Sequence, residues 1–400
     1  MIDEEIVLAL LDYLRASTAC PGLAYAEAPT RMSGGYDATI LRFSLQGAPP
    51  PLTGPLVLRL FQPNVHAQRA RREAAVQNAL ADLGYPAPRV FIAEARSEPL
   101  GGQFLIMERM SGHPLGSEFE GLSIKGIGQT LSLLSQFPRI RRDMLRLWDE
   151  AQTRLHGLPV DGFTERVEKA GVPCDSFSFD TSFAGLRASA EEFGLDELRP
   201  AFDWLTEHRP SRSRRAVVCH GDFQPLNVLA DNGHLTGVID WVKATVADPA
   251  FDYGAVLAIL ATVPIRAPAG LHLALRGLMN NLARAHSRSC PSSPEVETAL
   301  RYYQVFNCMV QLVTVGRNRA QGKSTHGVYN SSVGVANLVE HVHLLTGLSI
   351  NLAKTNRPLP NDGLGSRGKE ECGRSNRRGE FSYYEGVSNP RQFIWPAMVL

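Results

Sequence analysis

The sequence lacks the features that mark membrane-spanning, secreted or nucleic-acid-binding proteins. Its 400 residues contain no uninterrupted apolar run of about 18 residues, the length that a membrane-spanning helix needs. The first residues, MIDEE, carry acids where a secretory signal carries Lys or Arg. The formal net charge is only +1, so no overall field draws the chain to nucleic acid or to a membrane surface. We therefore expect neither partner.

Closely spaced cysteines are also missing. The six cysteines, at positions 20, 174, 219, 290, 308 and 372, show none of the spacings of zinc sites or disulfide frameworks. Scattered single thiols fit a reducing compartment, and we expect a cytoplasmic protein. The 44% hydrophobic and 20% charged content is ordinary for a globular chain. The length allows two or three domain-sized units.

The pattern of apolar residues changes along the chain. Short apolar runs bounded by turn residues predict strands at 37–45, 55–61, 89–95 and 103–109, with a helix over 65–84. After about residue 113 the pattern favours helices, predicted at 122–137, 143–157, 185–208, 250–262, 269–288, 294–316 and 332–346. Short strands around a loop interrupt these helices within 215–240.

This layout predicts an α+β chain with two lobes. We expect a strand-rich lobe over 1–110 and a mainly helical lobe over 111–350. The last fifty residues, 351–400, are rich in Gly, Arg, Asn and Ser without periodicity, and we predict a disordered tail.

The stretch HGDFQPLNVLADNGHLTGVIDW, residues 220–241, concentrates the chemistry. Two apolar runs flank a turn at 231–234, which predicts a hairpin that returns Asp240 to the neighbourhood of Asn227. Asn and Asp oxygens suit Mg²⁺. Asp222 stands apart on the loop, free to accept a hydrogen bond from a substrate hydroxyl. A lone Asp beside a turn is usually a turn former, but a base with two metal ligands is the set that phosphoryl transfer needs.

This stretch resembles the catalytic loop and metal-binding strand of the aminoglycoside phosphotransferase/choline kinase family, which has a protein-kinase-like fold. GVIDW and the following ATVADPAFDYG are similar to the second signature of that family. The resemblance implies that Asp222 is the catalytic base and that Asn227 and Asp240 bind Mg²⁺. It further implies that His220 braces the loop and that Asp252 accepts hydrogen bonds from the loop backbone.

The resemblance covers about residues 20–345 and implies a nucleotide site in the first lobe, for ATP or possibly GTP. In RMSGGYDATILRF, Ser33, Gly34 and Gly35 would let the backbone approach the phosphates, although two adjacent glycines are by themselves a weak signal. The segment FLIMERMSGHPL resembles the strand and linker between the lobes. The backbone groups of Glu108 and Met110 would then face adenine.

The family also expects a basic residue on the third strand and a Glu on the next helix. Arg59 and Glu73 stand at these places. The commonest kinase pattern has Lys where this chain has Arg59, and the guanidinium fork binds phosphate with a different geometry. Because Glu73 lies among arginines, a solvated helix face is the alternative interpretation.

The acceptor is expected to be a small molecule with a hydroxyl group. Only eleven residues separate Asp240 from Asp252, whereas a protein kinase needs a longer activation segment there. Residues 253–330 carry eight bases and two acids. A binding site for a polycationic aminoglycoside would need carboxylates that face the ligand, and this segment has few. We therefore favour a neutral, singly charged or anionic acceptor, with macrolide-like and sugar-like compounds still open.

Two other hypotheses remain open at this stage. The first is a non-catalytic, kinase-like protein that binds nucleotide or a partner. Arg59 and the unusual tail motivate it, and the intact Asp222, Asn227 and Asp240 oppose it. The second is a protein kinase, which the short segment after Asp240 opposes. The sequence makes no prediction of the oligomeric state.

Overall fold

The computed structural model describes residues 4–32, 38–63, 68–117, 127–210, 216–264, 269–288, 293–322 and 328–351. The strands are β1 (Ala24–Arg31), β2 (Ala38–Gln46), β3 (Leu56–Phe61), β4 (Val90–Glu94), β5 (Phe104–Glu108), β6 (His113–Pro114), β7 (Val217–Cys219), β8 (Val228–Asp231), β9 (His234–Val238) and β10 (Thr245–Ala247). The helices are α1 (Glu4–Thr18), α2 (Arg69–Asp82), α3 (Ile127–His156), α4 (Val160–Lys169), α5 (Phe179–Glu192), α6 (Arg199–Glu207), α7 (Ala250–Thr262), α8 (Ala269–Ser287), α9 (Pro294–Ala320) and α10 (Ser332–Thr346). A strand-rich N-terminal region followed by a helical C-terminal region confirms the predicted α+β class.

The N-terminal sheet has the order β1-β2-β3-β5-β4, and its neighbouring strands are antiparallel. The central strand β3 alternates its side chains between the two faces of the sheet. Leu58 packs into the core that α1 covers, whereas Phe61 packs with Ala70 and Ala74 of α2. Arg59 is two positions before Phe61 on β3, so both side chains lie on the face of the sheet that α2 covers.

The segment after β5 crosses to the C-terminal region and joins the predicted hairpin. β6 pairs with β8, β8 pairs with β9, and Leu115 N donates to Val228 O at 2.8 Å. Asn232 and Gly233 at the tip have φ of 49° and 78°, the left-handed conformation that a tight hairpin turn requires. The hairpin predicted from 220–241 is therefore confirmed.

Several predicted elements differ from the structure. The two helices expected at 122–137 and 143–157 form the single helix α3, which continues through Pro138. The helix expected at 185–208 is instead α5 and α6, separated by Gly194 with φ of 65°. Strand β1 was not predicted, because its sequence AYAEAPTR buries only one residue and pairs only with β2. Helix α4 was also missed.

A large apolar core supports the hairpin and the loop before it. Trp148 of α3 and Trp241, which follows β9, are both fully buried in this core together with Phe223. Their indole N–H groups donate to the carbonyls of Phe223 and Val238, at 2.8 Å each. These bonds fix loop backbone to core side chains, which limits the motion of the loop. Within the described ranges, no helix is both long and apolar enough to cross a membrane.

Candidate active site

Asp252 holds the beginning of the loop that follows β7. Its two carboxylate oxygens accept hydrogen bonds from the backbone N–H groups of His220 at 3.0 Å and Gly221 at 2.7 Å. His156 Nε2 lies 3.0 Å from Asp252 Oδ2. Burial opposes the charge of Asp252, but the hydrogen bond from His156 and the loop N–H groups hold its pKa below the usual value. The predicted brace from Asp252 is confirmed.

His220 ties the loop to the end of the hairpin. Its Nε2 lies 2.9 Å from Ile239 O, a distance that assigns the ring proton to Nε2 because a carbonyl can only accept. Nδ1 is then an acceptor, and it receives the backbone N–H of Asp222 at 3.2 Å. The ring also packs 4.5 Å from the Trp241 ring. The predicted bracing role of His220 is confirmed.

Asp222 is not free, contrary to the expectation from the sequence. Lys243 Nζ donates to Asp222 Oδ2 at 2.9 Å. Burial disfavours the ammonium, but the attraction of Asp222 and then of Asp240 raises the pKa of Lys243. The carboxylate on the loop therefore shares its site with a permanent cation.

Asn227 and Asp240 meet at the base of the hairpin, as predicted. Ile239 N donates to Asn227 O at 2.9 Å, so the two strands bring residues 227 and 240 together. The Asn227 side chain donates from Nδ2 to Asp222 O at 2.9 Å, which orients its amide. Asp240 has φ of 67°, a left-handed conformation that costs a non-Gly residue energy and is typical of functional sites.

Arg59 links the N-terminal sheet to this hairpin. Arg59 Nη1 contacts Glu73 Oε1 at 2.8 Å, and Nη1 and Nη2 both lie 3.2 Å from Asp240 Oδ1. Glu73 is only 2% exposed, so the alternative of a solvated helix face is wrong. Partial burial opposes the charge of Asp240, but Arg59 holds its pKa below the usual value.

The oxygen atoms at this point suit a hard divalent cation. Asp240 contacts Arg59 through Oδ1 and keeps 43% of its side chain exposed. Asn227 uses only Nδ2 in its hydrogen bonds within the described part of the chain, which leaves the amide oxygen as a ligand atom. An amide oxygen and a carboxylate, with water in the remaining positions, are ligands that Mg²⁺ accepts. The residues present fit the metal.

The other predicted nucleotide contacts have mixed outcomes. Ser33, Gly34 and Gly35 lie outside the described residues. The Glu108 N–H donates to Arg89 O at 2.9 Å, so this group is not available to a base, and only the carbonyl of Glu108 remains as the predicted adenine contact. Met110 packs its side chain against Gly237 of β9, where a Cβ would lie 3.1 Å from it. This contact fixes the linker against the hairpin, and the adenine contact of Met110 stays a prediction.

Lys243 is the site residue that reasoning from the sequence missed. The pairing of β10 with β7 places Thr245 opposite Cys219. In an antiparallel ladder the same register, continued, sets residue 243 opposite residue 221. A Cβ on Gly221, which has φ of 77°, would lie 2.5 Å from Lys243 O. The sequence signal for this contact was Gly221 of the motif HGD. Only glycine, which has no Cβ, lets another backbone approach so closely.

Comparison with known proteins places the chain in a family of phosphotransferases, in agreement with the resemblance of residues 220–241. The sequence profile described as "Phosphotransferase enzyme family" matches residues 30–286, well over half of the chain. The chain is 24% identical over 188 residues to acyl-CoA dehydrogenase family member 11 of Pongo abelii, which is 46% of this chain and 22% of that protein. It thus spans about a fifth of the length of that relative.

Two solved structures share the fold. One is a putative aminoglycoside phosphotransferase from Ralstonia eutropha JMP134, with a TM-score of 0.55, 16% identity and coverage of 86% of this chain and 96% of that one. The other is a thermostable mutant of the aminoglycoside phosphotransferase APH(4)-Ia in a ternary complex with ADP and hygromycin B. Its TM-score is 0.53, with 17% identity and coverage of 82% and 98%. The fold is protein-kinase-like, and the chain belongs to the phosphotransferase enzyme family.

Proposed function

We propose that the protein transfers the γ-phosphoryl group of ATP, or possibly GTP, to a hydroxyl group of a small molecule. The observation that carries this proposal is the convergence of Asp222, Asn227 and Asp240 on one loop and one hairpin, with the Arg59–Glu73 pair reaching Asp240 from the sheet. In this proposal, residues 1–110 form the nucleotide-binding lobe and residues 111–350 form the catalytic and acceptor-binding lobe.

Each residue has one role in the proposed reaction. Asp222 orients the acceptor hydroxyl and takes its proton. The acceptor oxygen forms a bond to the γ-phosphorus while the bond from that phosphorus to the β–γ bridging oxygen breaks, and ADP leaves with that electron pair. Asn227 and Asp240 would hold Mg²⁺, which neutralises phosphate charge when it is bound. Arg59 would orient the α- and β-phosphates from its place on β3.

A small acceptor is supported by the path of the chain after Asp240. A 3-10 turn at Trp241–Lys243 leads directly into β10, and α7 begins at Ala250. This short, ordered path has no room for the activation segment on which a protein kinase holds a peptide. APH(4)-Ia, which shares the fold, binds hygromycin B, a small molecule.

The charges of the sequence beyond the hairpin favour an acceptor other than a polycation. Residues 253–330 carry eight bases and only two acids. This segment therefore has few carboxylates with which to bind a polycation. We therefore propose a neutral, singly charged or anionic hydroxyl compound as the acceptor.

The direct test is nucleotide consumption by the purified protein with Mg²⁺ and ATP or GTP. The acceptor panel holds macrolides, aminoglycosides, choline-like alcohols, sugars and nucleosides. We expect acceptor-dependent release of ADP, and loss of it in Asp222→Ala with nucleotide binding retained, because the base acts on the acceptor and not on the nucleotide. The same turnover in the variant as in the wild type would rule out Asp222 as the base.

A second candidate function is a non-catalytic nucleotide-binding or regulatory protein. The contact of Arg59 with Asp240 favours it, because a cation on a metal-binding carboxylate competes with the metal. Tight binding of ATP with Mg²⁺ and no transfer to any acceptor in the panel would favour this function over the first. Phosphate on a peptide library would instead indicate a protein kinase.

A further inference from the structure

The side chain of Lys243 interacts with both carboxylates that the proposed reaction uses. Its ammonium is 2.9 Å from Asp222 Oδ2, and it also feels the charge of Asp240. The side chains of Lys243 and Asp222 are 37% and 19% exposed, so both can be reached from solvent. The phosphoryl group has to pass between the base and the metal ligands, and Lys243 is the cation at that place.

The backbone of Lys243 is fixed, so only its side chain can change partners. Lys243 O accepts a hydrogen bond from Thr245 Oγ1 at 2.9 Å and lies against Gly221 of the loop. The side chain, in contrast, is a flexible stem of four carbons that ends in three N–H donors. Such a group can exchange one anionic partner for another without any movement of the fold.

The other cations around the site have different partners. Arg59 contacts Glu73 and Asp240, and Arg72 donates to the backbone carbonyls of Val242 and Ala244. The loop itself, HGDFQPLN, contains neither Lys nor Arg. Within the described part of the chain, the hydrogen bond that the Lys243 side chain donates goes to Asp222. Lys243 is therefore the cation that is best placed to accept a new anion.

We propose that the ammonium of Lys243 binds the γ-phosphoryl group of ATP, and that it leaves Asp222 to do so. This inference rests on the proposed function. Phosphate oxygens carry more negative charge than one carboxylate and accept several hydrogen bonds at once, so they compete well for an ammonium. In the absence of nucleotide Lys243 masks the base, and ATP exposes Asp222 to the acceptor hydroxyl.

The test compares the affinities of ATP and ADP, because only ATP has the group that Lys243 contacts. Calorimetric titrations with Mg²⁺ would be made on the wild type and on Lys243→Met. We expect the Kd for ATP to rise about tenfold, as a lost hydrogen bond between charged groups predicts, with the Kd for ADP within about twofold. Lys243→Arg should restore most of the affinity for ATP, and Lys169→Met, at the exposed end of α4, should change neither Kd.

A second background separates binding of phosphate from neutralisation of Asp222. Asp222→Asn removes the carboxylate, so Lys243 has no charge left to neutralise there. If Lys243 only paired with Asp222, Lys243→Met would then have no further effect on nucleotide binding. We expect instead that Lys243→Met in this background still raises the Kd for ATP about tenfold relative to the Kd for ADP. Thermal unfolding confirms that each variant is folded.

The outcomes distinguish this inference from the proposed function. Equal losses for ATP and ADP, or an effect on ATP that disappears in Asp222→Asn, would overturn the role of Lys243 and leave the proposed function standing. A wild type that binds neither nucleotide with Mg²⁺ would overturn both.

Discussion

At the scale of single residues, each acid of the site has a basic side chain beside it. Asp222 has Lys243, Asp240 has Arg59, and Asp252 has His156. Burial opposes the charge of Asp240 and Asp252, but Arg59 and His156 hold the pKa values of these two carboxyl groups below the usual value. These two carboxylates are therefore ionised at neutral pH before any substrate binds.

The first prediction at this scale concerns Asp240. Asp240→Asn keeps the size of the side chain but removes the charge that Arg59 contacts and that the proposed Mg²⁺ would use. We expect the Kd for ATP with Mg²⁺ to rise about tenfold or more, towards the value measured with EDTA. Calorimetric titration with and without Mg²⁺ measures this difference.

The control for Asp240 lies on the same hairpin. Asp231 is exposed at the turn between β8 and β9, and Asp231→Asn should leave the Mg²⁺ dependence as in the wild type. An unchanged Mg²⁺ dependence in Asp240→Asn would exclude Asp240 as a metal ligand.

At the scale of secondary structure, the pairing of β7 with β10 determines the geometry of the loop. Gly221 has φ of 77°, and a Cβ there would lie 2.5 Å from Lys243 O. Gly233 in the hairpin turn has φ of 78° but no atom within 4 Å of the Cβ position. The two glycines therefore share one backbone conformation and differ in the space around them.

This difference gives a prediction at the same scale. Gly233→Ala should cost about 1 kcal/mol of unfolding free energy, the price of a left-handed alanine. Gly221→Ala should cost about 1–3 kcal/mol more, because the backbone at Lys243, just before β10, must also move away. Urea unfolding of both variants measures the two free energies.

The same substitution has a functional consequence. Displacement of the Lys243 backbone also moves its ammonium within the site, so Gly221→Ala should raise the Kd for ATP, whereas Gly233→Ala should not. Equal effects of the two substitutions on stability and on ATP binding would contradict the close approach of Gly221 to the backbone of Lys243.

At the scale of the whole molecule, His286 reports on the packing of the helical region. It lies on α8, stacks 4.2 Å from the ring of Trp148 on α3, and packs 4.9 Å from Tyr253 on α7. Burial lowers the pKa of His286 to about 3, with Asp252 opposing this change and His156 adding to it. The native state therefore excludes a proton that the unfolded chain binds below its usual pKa of 6.5.

The sign of the pH dependence follows from this difference. Because the unfolded state binds more protons than the native state between pH 6.5 and about 3, stability falls as the pH is lowered through this range. Between pH 7 and pH 5 the loss due to His286 is about 2 kcal/mol. His286→Phe keeps an aromatic ring to stack on Trp148 but has no group that titrates. The free energy of unfolding of this variant should therefore fall by about 2 kcal/mol less than that of the wild type between pH 7 and pH 5. Urea unfolding at the two pH values checks this, and parallel losses in both proteins would exclude His286 as the cause.

The sequence predicted those elements whose pattern is local. The limits of α7, α10 and the β8–β9 hairpin follow from apolar periodicity and turn residues, and the structure confirms them. The single helix α3 and the edge strand β1 were not predicted, because neither continuation through Pro138 nor pairing at a sheet edge is encoded in a short window. The N-terminal glycine turn lies outside the described residues.

The sequence by itself determined that Asp222, Asn227 and Asp240 come together, because they lie within one loop and one hairpin whose geometry is local. The tertiary structure alone decided which basic partners Asp222 and Asp240 have. Arg59 reaches Asp240 across 181 positions of the chain, and Lys243 reaches Asp222 across 21. Such contacts depend on how strands pair and how a sheet packs on its helix, and these arrangements follow from burial of the whole core rather than from any one segment.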